Sequence, residues 1–208
     1  CYNTERERFH TAYGALERKE KEQKIDSFID TDASKISWTR ALKGDIGKNK
    51  TAQFDKQNIV PSLYRPFTKQ WLYFNRQFNE MVYQMPRIFP DATVENRVIC
   101  LTGGNNFSVL MTDVVPDLHM IGDAQCFPLW LYEPATSPDK TGASPQTEMF
   151  DDTPEKGLFD NGQPIYTRKD AITDAGLAHF RNAYPGETIS KEDIFYYVYG
   201  LLHSEDYR

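Results

Sequence analysis

The apolar residues of 58–132 come in short runs interrupted by Pro, Gly and Asn, and this spacing restricts the middle of the chain to short strands. The β-branched and aromatic segment 58–75 contains two prolines, which is typical of two strands joined by a turn. Residues 97–102 and 107–112 flank a Gly-Gly-Asn-Asn turn and favour a hairpin. Residues 127–132 predict one further, buried strand.

Both ends of the chain have helical patterns instead. Residues 4–29 predict an amphipathic surface helix, and 32–34 offer an N-cap for a short helix that the glycines of 44–47 close. Residues 170–184 fit another helix, and Ser190 caps the last one. The predicted fold class is therefore α+β, with a mixed or antiparallel sheet flanked by N-terminal and C-terminal helices.

The same patterns divide the chain into four parts. These are an N-terminal helical segment with a basic loop (1–57), a β-rich core (58–133), a Pro/Ser/Thr/Gly-rich loop (134–165) and a C-terminal helical segment (166–208). No run approaches the roughly 20 apolar residues of a membrane helix. The start at Cys1 has neither an initiator Met nor an apolar signal core, so we expect a piece of a longer cytoplasmic protein.

Charge is distributed unevenly along the chain. The formal net charge of −6 argues against a sequence-blind nucleic-acid binder, which would usually carry a basic surplus. Residues 35–97, however, contain eleven Lys and Arg against five Asp and Glu, so this segment carries +6 and the remainder −12. Any contact with phosphate groups is therefore predicted to come from the middle segment.

The sequence lacks the motifs of several enzyme classes. There is no amino-methyltransferase tetrapeptide (Asn or Asp, Pro, Pro, aromatic), no phosphate-binding Gly-Lys-Ser/Thr loop and no dinucleotide-binding glycine pattern. The two glycines of 101–107 have no third glycine and no following helix, so a tight turn is favoured over a phosphate loop. We predict no catalytic residue in this chain.

Metal ligands are not indicated either. Three cysteines without paired spacing and four histidines far apart predict neither a zinc site nor a disulfide framework. His119 is interpreted as structural. Two carboxylates on a cation and a nearby lysine would suit a metal-dependent nuclease, and Asp151, Asp152, Glu155 and Lys156 faintly match that set. Their place in a Pro-rich loop, rather than on a rigid sheet, disfavours that interpretation.

The segment 64–74 alternates cations with large aromatic rings, because Arg65 and Lys69 lie among tyrosine, phenylalanine and tryptophan residues. Such interleaving suits nucleic acid, since guanidinium and ammonium groups meet phosphates or base edges while rings pack or stack. A strand whose rings fill the core and whose cations face water would give the same pattern. Spacing alone leaves both interpretations open.

The block Tyr64-Arg65-Pro66-Phe67, followed by Trp71-Leu72-Tyr73, resembles a block in the C-terminal specificity region of Type ISP restriction-modification enzymes and related large "predicted helicase" proteins. Further matching blocks follow in the same order: 106–110, 116–119, 125–132 and 193–204. Thr68 stands where the family block usually has Asp, which puts any role of that carboxylate in doubt. The N-terminal helical region matches only loosely.

The resemblance implies a long bacterial cytoplasmic polypeptide with a nuclease, an ATP-dependent helicase-like motor, a DNA adenine methyltransferase and, last, a target-recognition domain. S-adenosylmethionine, ATP and Mg would then be cofactors of upstream domains and not of this chain. The implied partners are double-stranded DNA and the methyltransferase and helicase domains of the same polypeptide. The alternative is an interdomain docking module without direct DNA contact, because Tyr196, Tyr197 and Tyr199 cannot all face one core.

Local charge nominates the residues that would contact DNA. The candidates for phosphate or guanine contact come first, then those for adenine contact: Arg65, Lys69, Arg76, Arg40, Lys43, Lys48 and Lys50, followed by Gln70 and Asn75. Arg87 and Arg97 are candidates of lower rank, and the amides of Gln77 and Asn79 are further candidates near Arg76. Arg65 has an alternative role, in which it anchors a buried carboxylate and stabilises the fold.

Overall fold

The computed structural model describes residues 1–32, 34–104, 107–135, 159–160, 163–164 and 166–207. The helices are α1 (Tyr2–Tyr13), α2 (Arg18–Phe28), α3 (Arg40–Gly47), α4 (Met85–Ile88), α5 (Asp174–Ala183) and α6 (Lys191–His203). The strands are β1 (Ile59–Arg65), β2 (Thr68–Tyr73), β3 (Val98–Leu101), β4 (Val109–Thr112), β5 (Val115–Pro116), β6 (Gln125–Pro128), β7 (Trp130–Pro134), β8 (Phe159–Asp160), β9 (Gln163–Pro164) and β10 (Tyr166–Asp170). The predicted α+β class is confirmed. Most of the predicted loop 134–165 lies outside the described residues, and so do Asp151, Asp152, Glu155 and Lys156.

The chain folds as two compact units. Unit 1 contains Cys1–Val60 and Trp71–Tyr83, and unit 2 contains Pro61–Gln70 and Gln84–Arg208. In unit 1, the helices α1, α2 and α3 enclose one apolar core. Its buried members are Tyr2, Phe9, Ile25, Ile29, Leu42 and Ile46. None of the helices in the described residues is long and apolar enough to cross a membrane.

The N-terminal helices differ from the sequence prediction in two places. The single helix predicted over 4–29 is interrupted after Tyr13, and α2 starts afresh where the backbone N–H of Glu17 donates to the Glu20 carboxylate (3.3 Å). The cap predicted at 32–34 is a local turn, because the Asp32 carboxylate accepts from the backbone N–H of Ser34 (3.0 Å). Thr39 caps α3 instead, accepting from the N–H of Leu42 (3.2 Å).

Unit 2 contains small sheets. β1 pairs with β2 on one side, which confirms the predicted strand–turn–strand of 58–75, and it runs parallel to β5 on the other. β3 lies between β4 and β6, antiparallel to both, so the predicted hairpin of 97–112 is confirmed. The single strand predicted over 127–132 is wrong: Leu129 separates β6 from β7, and β7 pairs with β10 in a different sheet.

The break at Leu129 has a clear physical cause. The backbone N–H of Leu129 donates to the carbonyl of Arg97, and its side chain is buried with Ile99, Phe195 and Leu202 of β3 and α6. The completely buried Asn96 then hydrogen-bonds to both backbone groups of Trp130: its Nδ2 donates to the carbonyl (2.8 Å), and its Oδ1 accepts from the N–H (3.2 Å). These contacts turn the chain from one sheet into the next.

Candidate nucleic-acid interface

Six of the seven predicted cations lie on two basic surfaces, one in each unit, while Arg76 and the neighbouring Asn75 follow β2 in unit 1. In unit 2 the tip of the β1–β2 hairpin carries Arg65, Phe67, Lys69 and Gln70, which we call the hairpin surface. All four are exposed. Pro66 and Phe67 form the two-residue turn between the strands, which holds Arg65 and Lys69 close to the tip.

Arg65 is held at the end of β1 by one edge of its guanidinium group. Its Nη1 donates to the carbonyls of Tyr64 and His119, both at 3.1 Å, and lies 3.4 Å from the Asp117 carboxylate. The guanidinium carbon also lies 4.3 Å from the centre of the Tyr64 ring. All of these hydrogen bonds use Nη1 and 45% of the side chain remains exposed, so Arg65 both ties β1 to the segment after β5 and presents charge to solvent.

Lys69 and Arg97 line an open cleft of about 530 Å³ beside the hairpin tip. Its apolar wall contains Leu63, Leu110 and Met111. Lys69 lies 3.5 Å from Asp113, an exposed ion pair that restrains the lysine only weakly. Arg97 donates to the carbonyl of Asn96 (2.9 Å).

Arg40, Lys43, Lys48 and Lys50 lie on α3 and just after it in unit 1, and we call them the α3 surface. Lys43 pairs with Asp26 at 2.7 Å and Lys50 with Asp45 at 3.7 Å. Arg40 and Lys48 are exposed, and neither has an ion-pair partner among the residues that the structure describes. These two are therefore the cations of this surface with most freedom to meet a phosphate.

The amide side chains nominated near Arg76 have structural contacts. Asn75 Oδ1 accepts from the backbone N–H of Gln77 (2.9 Å), and Asn79 Nδ2 donates to the carbonyls of Tyr73 and Asn75. Gln77 reaches Asp45 at 3.3 Å. Within the described part of the chain, Arg76 and Gln70 make no such bonds and are exposed, so they keep their donors and acceptors for another molecule.

Phe67 was not nominated from the sequence, although it is the most exposed large apolar side chain in the described residues, at 91%. The available signal was its position after Pro66 between two strand patterns, where a turn places its side chain outside the sheet. The tyrosines of α6 behave as predicted: Tyr196 and Tyr197 are exposed, with Val198 and Leu201, while Tyr199 packs against the core.

The thiols of Cys100 and Cys126 face each other across β3 and β6, with their sulfur atoms 3.7 Å apart. The hydrogen bond between them, with burial, raises the pKa of the Cys100 thiol far above its usual value. The neutral Cys100 thiol is therefore a poor nucleophile and a poor metal ligand, whereas the same hydrogen bond lowers the pKa of Cys126. No group of three metal-ligating side chains occurs in the described part of the chain.

Comparison with known proteins relates this arrangement to one family. A profile of the Type ISP C-terminal specificity domain matches residues 1–208, and the chain belongs to that family, which is part of the Type ISP restriction-modification enzymes. No curated protein matches the chain.

Solved structures similar to it include three complexes. The DrdV–DNA complex, solved by cryo-EM, has 33% identity over 98% of this chain and a TM-score of 0.67. A nuclease-deletion mutant of the Type ISP restriction-modification enzyme LlaGI, in complex with a DNA substrate mimic, has 29% identity over 100% and a TM-score of 0.66. The ATP-dependent Type ISP restriction-modification enzyme LlaBIII, bound to DNA, has 31% identity over 91% and a TM-score of 0.63. This chain spans 16%, 15% and 11% of those chains.

Proposed function

We propose that this chain binds double-stranded DNA as the target-recognition domain of a longer, single-chain restriction-modification protein, and that it contributes no catalytic group. The observation that carries the proposal is the set of exposed cations on the hairpin and α3 surfaces of a chain whose net charge is −6. The three solved relatives are complexes with DNA or a DNA mimic, which supports the same role.

The role of each residue in DNA contact follows from which of its polar groups have no partner in the described residues. Arg40, Lys48 and Arg76 would contact phosphates and fix the register of the protein on the duplex. Gln70, with its unused amide, and Arg65, with its free guanidinium edge, suit base edges in the major groove, where Gln pairs with adenine and Arg with guanine. The cytoplasm of a bacterium is the proposed location, and ATP, S-adenosylmethionine and Mg would serve other domains of the polypeptide.

The test removes the three nominated cations that have no ion-pair partner in the described residues. Arg40, Lys48 and Arg76 are changed together to Ala, and binding to a random-sequence duplex is measured by fluorescence anisotropy at low salt. The matched control changes Lys19, Lys21 and Lys24 of α2 to Ala, which removes the same charge from a helix that also carries Glu20 and Glu22. We expect the first variant to bind at least about tenfold more weakly, and the control to bind within about twofold of wild type, because only direct contacts release counterions.

Equal weakening in both variants would mean that only overall charge matters, and would contradict the proposal. Failure of the wild type to bind at low salt would favour the second candidate function, a docking module. The exposed apolar side chains of α6, namely Tyr196, Tyr197, Val198 and Leu201, favour that function, with another domain of the longer polypeptide as the occupant. Slower amide hydrogen exchange of α6 in the parent protein than in this chain would support it, and equal exchange would contradict it.

A further inference from the structure

We propose that Phe67 is a wedge that inserts between stacked base pairs of the bound duplex. The inference rests on the proposed function, because it assigns a distinct action to one residue of the hairpin surface. It is carried by the conformation of Phe67, its exposure, the rigidity of the hairpin beneath it and the cations on either side.

The backbone of Phe67 has a conformation that suits glycine better than phenylalanine. Its φ is 69°, in the left-handed region, at the second position of the Pro66-Phe67 turn. Type II turns place a positive φ at this position and usually fill it with Gly or Asn, since other side chains crowd the backbone there. A bulky ring at this point is therefore strained, and such residues concentrate at functional sites.

Folding gains little from the ring in return, although the ring lines the cleft with Leu63 and Met111. Phe9 and Phe195 are buried in the cores of unit 1 and unit 2, whereas 91% of the Phe67 side chain is exposed. The ring therefore removes little apolar surface from water and contributes almost no burial energy. A partner that covers the ring would supply the missing burial.

The hairpin holds Phe67 firmly enough to act on another molecule. Pro66 fixes the first turn position, and the Ser62 hydroxyl donates to the carbonyl of Val115 (2.8 Å), which ties β1 to β5. The backbone N–H of Asp117 donates to the carbonyl of Leu63 (3.0 Å), and Arg65 adds its bond to His119. A side chain on such a support can resist being pushed aside when it separates two bases.

The cations at the tip favour duplex DNA as the partner, because Arg65 and Lys69 keep 45% and 64% of their side chains exposed although they pair with Asp117 and Asp113. Arg65 precedes and Lys69 follows the Pro66-Phe67 turn, so two cations stand on either side of an apolar ring. Proteins that kink DNA insert Phe, Leu, Ile, Met or Pro between base steps and contact the groove beside the wedge with Arg and Lys side chains. A protein partner would need carboxylates opposite both cations, and would gain nothing specific from the strained turn.

The experiment compares two duplexes of one sequence, one fully paired and one with a single central mismatch, in binding to the 208-residue chain at low salt. A wedge must separate stacked bases, and that costs least at a mismatched base pair. We expect wild type to prefer the mismatched duplex by about fivefold or more. In Phe67→Gly the ratio of the two affinities should fall to about one. Phe67→Leu keeps an apolar wedge and should retain most of the preference.

Lys69→Ala is the matched control, because it should weaken binding to both duplexes and leave their ratio unchanged. The inference is overturned if wild type has no preference, or if Phe67→Gly keeps the wild-type preference while binding both duplexes; in either case the proposed function stands. If wild type binds neither duplex, both the proposed function and the inference fail. Gly adopts a positive φ without steric strain, so we expect Phe67→Gly to fold, and a thermal melt checks that it does.

Discussion

At the scale of single residues, Asn96 links three parts of unit 2. Its Nδ2 donates to the carbonyls of Ile88 (2.9 Å) and Trp130 (2.8 Å), and its Oδ1 accepts from the backbone N–H groups of Arg97 (2.8 Å) and Trp130 (3.2 Å). Its side chain is completely buried, so bulk water does not compete for these bonds. Asn96 thereby fixes where α4 ends and where β3 and β7 begin.

We expect Asn96→Ala to lower the free energy of unfolding by about 3 kcal/mol, because it leaves buried carbonyl and N–H groups without partners. Urea denaturation measures the loss. Asn182→Ala, on the exposed face of α5, is the control and should change stability by less than about 0.5 kcal/mol. A loss below about 1 kcal/mol in Asn96→Ala would contradict the role assigned to this amide.

Phe67→Gly is expected to stabilise the fold, in contrast to most substitutions of large apolar residues. Gly relieves the left-handed strain, a gain of about 1 kcal/mol, and the exposed ring takes no burial energy with it. For a chain of this size the corresponding rise in Tm is about 2–4 °C, measurable by calorimetry. Phe9→Gly, in the core of unit 1, should instead unfold it. A lower Tm in Phe67→Gly would mean that the ring stabilises the hairpin.

Arg65 and Lys69 should separate stability from DNA binding. Arg65→Ala removes hydrogen bonds to two carbonyls and should cost about 1 kcal/mol of stability as well as affinity for DNA. Lys69→Ala breaks only an exposed ion pair and should lose affinity at nearly unchanged stability. Denaturation and anisotropy on the same preparations measure both. Unchanged DNA affinity in Lys69→Ala would remove that residue from the interface.

At the scale of elements, α6 begins with a reciprocal cap. The Ser190 hydroxyl accepts from the backbone N–H of Asp193 (3.1 Å), and the Asp193 carboxylate accepts from the N–H (2.9 Å) and the hydroxyl (2.6 Å) of Ser190. These bonds, the one from the hydroxyl first, lower the pKa of Asp193 below its ordinary value of 3.8. Folding therefore favours the ionised carboxylate.

The lowered pKa fixes the direction of the pH effect. A depressed carboxyl contributes stability above its unfolded pKa and loses that contribution as pH falls through its folded pKa. We expect Asp193→Asn to destabilise the chain at pH 6 and to change stability little at pH 2. Thermal melts of both proteins at the two values test this. A mutational effect as large at pH 2 as at pH 6 would contradict the charge-dependent cap.

The elements that the sequence predicted correctly are those with local signals. Ser190 and Asp193 mark the start of α6, and the glycines at 103 and 104 mark the turn between β3 and β4. The start of α3 and the break at Leu129 were missed. Asp32 satisfies a local turn that resembles a cap in sequence, and Leu129 ends β6 through a bond to Arg97 that only the folded chain brings into reach.

At the scale of the whole molecule, the uneven charge along the sequence located the basic segment, and the fold determines what each cation does. The sequence could not show that Lys43 and Lys50 are paired while Arg40 and Lys48 have no ion-pair partner in the described residues, since the partners Asp26 and Asp45 are ordinary acidic residues. It also could not show that Asn75 supports a turn. Whether the nominated residues contact DNA remains a prediction.

Although its net charge is −6, this chain should bind DNA through locally basic surfaces. The most direct measurement is the dependence of the wild-type Kd for a random duplex on salt concentration. Seven cations are nominated, four of them in ion pairs, so we expect log K to fall with log salt at a slope of about −3 to −6. No binding at about 50 mM salt, or a slope near zero, would contradict DNA binding through these cations.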